Sequence, residues 1–201
     1  MNVTREQIYQ IYKMSYSISE SRGKARQKKI NDTIIEICKS NPLYDGCEFK
    51  TEVRLSKNIS SGKWFSVDVL VYKSNKLVEL ILAKAPASNI VQNSVNMSNT
   101  RFGEVGRLFK YIEDGVKLTF INFQPNITPF FKQNGAIKSF EKNSTHTLNL
   151  FKGALNSNLT FSEIFITFNI EGVEDCKTKD DVKSLLTNSE VISNIFVEVY
   201  E

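Results

Sequence analysis

The chain has 201 residues, of which 41% are hydrophobic and 24% charged, so a single globular domain spanning 1–201 with one sizeable core is expected. No apolar run approaches the roughly 20 residues of a membrane helix. The N-terminus MNVTREQIYQIYKMSYS lacks the apolar stretch of a signal peptide, and Cys38, Cys47 and Cys176 form no CxxC pair, so a membrane span, a zinc framework and a disulfide scaffold are excluded and a cytoplasmic setting is expected. The net charge of +4 is compatible with a polyanionic partner, and its distribution says more. SESRGKARQKK at 19–29 carries five basic residues against one acid, and FKQNGAIKSFEKNSTHTLNLFK at 131–152 mixes Lys with Gln, Asn, Ser, Thr and His. Such side chains bond phosphates and base edges.

In chain order, residues 5–14 read as a helix. Residues 24–39 form a longer one, with Ile30, Ile34, Ile37 and Cys38 on one face at helical spacing. NPLYDG at 41–46 is a turn. CEFKTEVRLS at 47–56 alternates, with Phe49, Val53 and Leu55 one way and Lys50, Glu52 and Arg54 the other, as a half-buried strand does. Two more strands are expected over 64–72 and 77–84, the second stopped by Pro86. Residues 99–113 read as a helix with Phe102, Val105, Leu108, Phe109 and Ile112 inward. Strands follow at 116–123 and 163–170, then a helix at 178–188 capped by Thr178, then a last strand at 194–200. Helices and strands interleave, which predicts an α/β (α+β) fold: a mixed central sheet flanked by helices.

The chemistry concentrates in WFSVDVLVYKSNKLVELILAKAPASNIVQN, residues 64–93. Alternation puts Val67, Val69 and Val71 on one face of the first strand and Asp68 with Leu70 on the other. In the second strand Leu80, Leu82 and Lys84 share a face. A three-residue loop, Ser74-Asn75-Lys76, pairs Asp68 with Leu82 and leaves Lys84 one step beyond on the same face. A two-residue loop, Ser74-Asn75, pairs Asp68 with Ile81, brings Glu79 onto the Asp68 face and sends Lys84 away, because a slip of one residue flips every side chain. The first register is the expected one, since a three-residue loop tolerates Asn in the left-handed position.

An Asp in one strand, a turn, an apolar second strand and then Lys-Ala-Pro resembles the PD-(D/E)xK nucleases, particularly the type II restriction endonucleases. The resemblance covers roughly residues 24–125. It implies a restriction-endonuclease-like sheet, with Asp68 as the first acid and Leu82-Ala83-Lys84 in the place of the (Glu/Asp)-x-Lys triplet. Position 82 is therefore leucine where the family has an acid. Some members move that carboxylate onto the following helix, which here carries Glu104; Glu79 and Glu36 are the rivals. The resemblance implies Mg²⁺ held by Asp68, the Ala83 carbonyl and Glu104, with Lys84 beside the attacking water. It further implies double-stranded DNA as substrate and a homodimer cutting both strands of a palindrome. A junction or repair nuclease, or an inactive DNA-binding protein of the same fold, are the alternatives. For DNA contacts the candidates are Asn93, Asn96, Arg101 and Arg107 in and after the amide-rich stretch 88–101, and Lys132, Gln133, Asn134 and Lys138 in the second basic region. His146, the only histidine, reads as a surface or DNA-contacting residue.

Overall fold

Thr4 opens the first helix, α1 (Arg5–Tyr12), with a reciprocal cap. Its hydroxyl accepts from the Gln7 backbone N–H at 3.3 Å, and the Gln7 side chain accepts from the Thr4 N–H at 2.9 Å. α2 (Lys24–Lys39) has no side-chain cap and is held by its face instead: Ile30, Ile34, Ile37 and Cys38 are buried, as their spacing predicts. A computed structural model of the chain describes residues 1–16, 23–57, 64–91, 93–143 and 161–200. His146, much of the second basic region beyond Asn143 and part of the 19–29 stretch lie outside the described residues.

Strands β1 (Cys47–Lys57), β2 (Trp64–Lys73), β3 (Lys76–Lys84), β4 (Lys117–Pro125), β7 (Phe161–Ile170) and β8 (Ile192–Tyr200) form one mixed sheet in the order β1-β2-β3-β4-β7-β8. β3, β4 and β7 run parallel; the remaining pairs are antiparallel. A separate antiparallel hairpin, β5 (Ile127–Phe131) and β6 (Ile137–Lys142), was not foreseen from the sequence. Between β3 and β4 lies α3 (Ser94–Glu113), which starts five residues earlier than the periodicity suggests, and between β7 and β8 lies α4 (Lys179–Leu185). Thr178 caps α4, its hydroxyl accepting from the Asp181 N–H at 3.2 Å.

Helices cover both faces of the sheet. On one, Ile8, Ile11, Tyr12, Ile30, Ile34 and Ile37 of α1 and α2 pack with Val69, Val71, Ile81, Ala83, Ile121 and Phe123. On the other, Val105, Leu108 and Ile112 of α3 pack with Leu70, Leu80, Leu82, Leu118 and Phe120. This is the expected mixed sheet flanked by helices.

Two local expectations are corrected. Phe102 and Phe109 do not face the core; they are 42% and 43% exposed. The inward stripe of α3 runs through Arg101, Glu104, Val105, Leu108 and Ile112. Two charged side chains take inward positions there because each finds an ionic partner on the sheet. The β2–β3 loop also differs. It is the two-residue Ser74-Asn75 turn, with φ of 51° and 62°, the positive pair of a type I′ turn. Yet Val71 faces Glu79 while Tyr72 faces Leu77, so Val78 is an extra residue in a bulge. The bulge offsets the shorter loop. Val69 pairs with Ile81, and one step on Asp68 stands opposite Leu82, the register assigned to the longer loop.

A candidate active site at the Lys84 end of β3

Asp68 sits where the alternation of two strands breaks. Val69 and Val71 belong to the core under α1 and α2, but Val67 belongs to the core under α3. On the neighbouring strand Phe49 packs on the first side and Val53 and Leu55 on the second. The expected grouping of Val67 with Val69, and of Phe49 with Val53, therefore fails at this point. Between Thr51 and Val53, which face Val69 and Val67, lies Glu52 with φ of 53°. A left-handed residue inside a strand turns the next side chains to the other face.

The Asp68 carboxylate accepts from the Ala83 N–H at 2.7 Å and from the Gln27 side chain of α2 at 3.0 Å. Gln27 also donates to Asn31 at 3.0 Å, so the amide is braced from its own helix. Burial pushes the Asp68 pKa up from 3.8 to about 6; the Ala83 N–H and the Lys84 ammonium act against that rise, and the charges of Glu104 and Glu52 add to it.

Lys84 shares the face of Leu80 and Leu82 and so points to α3, where its Nζ lies 2.7 Å from Glu104 Oε1. The other oxygen of Glu104 is buried without a hydrogen-bond partner. Leu82 is 2% exposed and packs beneath α3 with Val105 and Leu108. The rival acids point elsewhere. Glu79 is buried on the opposite face, where the Thr119 hydroxyl donates to it. Glu36 is exposed and accepts from Gln7 of α1 at 3.2 Å.

The chain beyond Lys84 is fixed by side chains the sequence reading did not single out. The Tyr12 hydroxyl bonds the carbonyls of Pro86 and Phe123, both at 2.9 Å. Tyr16 reaches the Ala87 carbonyl and Arg26 the Ala85 carbonyl. Arg26 and Gln27 were legible only as part of a basic run, although Gln27 lies three residues before Ile30 and extends its inward stripe. A cleft of about 300 Å³ opens here, bounded by Arg26, Gln27, Asp68, Ala83, Lys84 and Met97.

Among the described residues no three His, Cys, Asp or Glu side chains gather closely enough to enclose a metal ion. A hard cation that keeps most of its waters needs only one or two carboxylates. One oxygen of Glu104 is buried without a hydrogen-bond partner, and the charges of Lys84 and Glu104 both bear on Asp68.

The expected DNA-contacting residues divide. Arg101 is 1% exposed, its guanidinium bonded to Glu163 and Asn122, so surface contact is closed to it. Arg107 is exposed and lies over the Phe65 ring at 5.4 Å. Asn93 and Asn96 are exposed at the start of α3; the Asn93 side chain donates to the Asn89 carbonyl at 2.8 Å. Lys132, Gln133, Asn134 and Lys138 are exposed on the β5–β6 hairpin. That hairpin borders the segment leaving the cleft: Asn89 bonds the backbone of Pro129 at 3.3 Å and of Phe131 at 3.2 Å. No family model matches the chain, and no curated protein or solved structure matches it.

Proposed function

We propose that the chain is a Mg²⁺-dependent endonuclease for double-stranded DNA, of the PD-(D/E)xK kind, acting as a homodimer in the manner of a type II restriction enzyme. The observation that carries the reading is that Asp68 and Lys84 line one cleft, with Asp68 fixed by the N–H of Ala83 and Lys84 paired at 2.7 Å with Glu104 of α3. A buried carboxylate inside an apolar strand, and a lysine–glutamate pair at the end of the next strand, are costly to fold around, and such groups concentrate at functional sites.

In this reading Asp68 and Glu104 would hold the cation, with the Ala83 carbonyl as a further ligand, and a bound cation would supply an acidified water and neutralise charge on the phosphate. Lys84 is the only cation in contact with Glu104 among the described residues. It orients the attacking water and faces the charge that grows on the phosphorus oxygens. Gln27 keeps one Asp68 oxygen directed. Asn93, Asn96, Arg107 and the Lys132, Gln133, Asn134 and Lys138 group would track the backbone and base edges.

The test is incubation of the purified chain with supercoiled plasmid and with a branched duplex, each with Mg²⁺ and with EDTA. Discrete plasmid fragments support the proposal. Cutting of the branched substrate alone favours a junction or repair nuclease. Salt-sensitive binding without cutting favours a DNA-binding protein, to which Leu82 would then belong.

A further inference from the structure

We infer that Arg101, Asn122 and Glu163 are positioning residues that set the register of α3 on the sheet so that Glu104 meets Lys84; this rests on the reading of Glu104 as the displaced acid. All three side chains are buried. One arm of the Arg101 guanidinium bonds Glu163 of β7 and the other bonds Asn122 of β4. Asn122 also donates to Glu163 at 3.1 Å, closing a triangle. The Phe120 ring lies 5.0 Å from the guanidinium carbon. A single side chain of α3 is thus fastened to two adjacent parallel strands.

The fastening lies next to the site. Asn122 is the neighbour of Lys84 across the parallel β3–β4 pair. Glu104 follows Arg101 by three residues, close to one helical turn on the same face. A buried ion pair contributes little to stability that apolar residues could not supply, so its presence needs another reason. Register is that reason. The apolar contacts of Val105, Leu108 and Ile112 resist separation of helix and sheet but discriminate weakly between neighbouring positions. A planar guanidinium with two partners accepts one placement. Where acid and lysine share a strand, the backbone fixes their spacing. Here the acid is on another element, and rotating α3 by one residue turns Glu104 about 100° away from Lys84.

The experiment compares the parent chain with the triple variant Arg101→Met, Asn122→Leu, Glu163→Leu, which removes all three side chains of the triangle together, and with Arg101→Lys. Each is measured by urea unfolding, by Mn²⁺ titration, and by a double-mutant cycle of Lys84→Met with Glu104→Gln. A folded triple variant is expected to bind Mn²⁺ at least ~10-fold more weakly, the effect typical of groups that orient metal ligands, and to lose the Lys84–Glu104 coupling. Arg101→Lys keeps one arm and is expected to weaken Mn²⁺ binding by a smaller factor; it decides the matter if the triple variant does not fold. Parent-like Mn²⁺ affinity and coupling in either folded variant overturn the inference. A parent chain that binds no Mn²⁺ overturns the nuclease reading instead, and the coupling cycle then still decides whether the network sets the register.

Discussion

Replacing Asp68 by Asn is expected to stabilise the metal-free protein at neutral pH. A carboxyl that titrates at about 6 in the fold rather than at 3.8 binds its proton more tightly when folded than when unfolded. Its contribution to stability is therefore complete below pH 3.8 and is lost as pH rises through about 6. At about 1.36 kcal/mol per pH unit, the ionised carboxylate costs ~3 kcal/mol at pH 8. Asn removes that cost. Its carbonyl can still accept from the Ala83 N–H, but its amide meets the Gln27 amide donor, so one hydrogen bond is lost. That loss is worth ~1 kcal/mol. The net expectation is a gain of ~2 kcal/mol at pH 8, shrinking through pH 6 and reversing to a small loss near pH 4. Urea unfolding in EDTA at steps from pH 4 to pH 8 reads this directly. Added Mg²⁺ should raise the midpoint of the parent at pH 8 and leave the Asn variant unmoved. An Asn variant that is less stable than the parent by the same amount at every pH would refute the picture of a buried, poorly compensated carboxylate.

The same electrostatics predicts that Lys84→Met raises the Asp68 midpoint and Glu52→Gln lowers it, because the ammonium favours the ionised form and the nearby carboxylate opposes it; carbonyl-carbon NMR titration tracks both. Leu82→Glu should destabilise the fold by ~3 kcal/mol or more, since it places a carboxylate in the apolar layer under α3; thermal melts at pH 7 check it. Tyr12→Phe leaves the Pro86 and Phe123 carbonyls without their shared donor and should cost ~1–3 kcal/mol, measured by urea unfolding. DNA affinity should fall with salt at a log–log slope of ~0.9 per phosphate contact, and removing Lys132 and Lys138 together should lower that slope by up to ~2, read by fluorescence anisotropy.

Most of the architecture was legible because apolar periodicity reports burial. Ile30, Ile34 and Ile37, or Leu80 and Leu82, can lie only one way once a sheet and a helix share a core. Elements were missed where other physics decided. The β5–β6 hairpin is short and half-exposed, so its residues carry no strict alternation. α3 was placed with its aromatics inward because two buried charges, Arg101 and Glu104, look like surface residues until their partners on β7 and β3 are known. The loop between β2 and β3 was misjudged while the register survived, because the bulge at Val78 leaves no mark in the residue types. Asp68 and Lys84 were visible as charges in apolar strands. Gln27 was hidden in a basic run, and Glu104 could be ranked but not placed against Glu79 and Glu36 without the orientation of each side chain.

The most direct measurement is the single-turnover cleavage of a duplex by the parent chain, Asp68→Asn, Glu104→Gln and Glu36→Gln, side by side at pH 8 with Mg²⁺. Glu36 bonds Gln7 on the far side of α2 and serves as the control. Cutting by the parent and by Glu36→Gln at the same rate is expected, with a loss of at least ~10²-fold in each of the other two, as when a cation ligand that stabilises the transition state is removed. Undiminished cutting by Asp68→Asn or Glu104→Gln, or no cutting by the parent under conditions where it binds DNA, would contradict the nuclease reading.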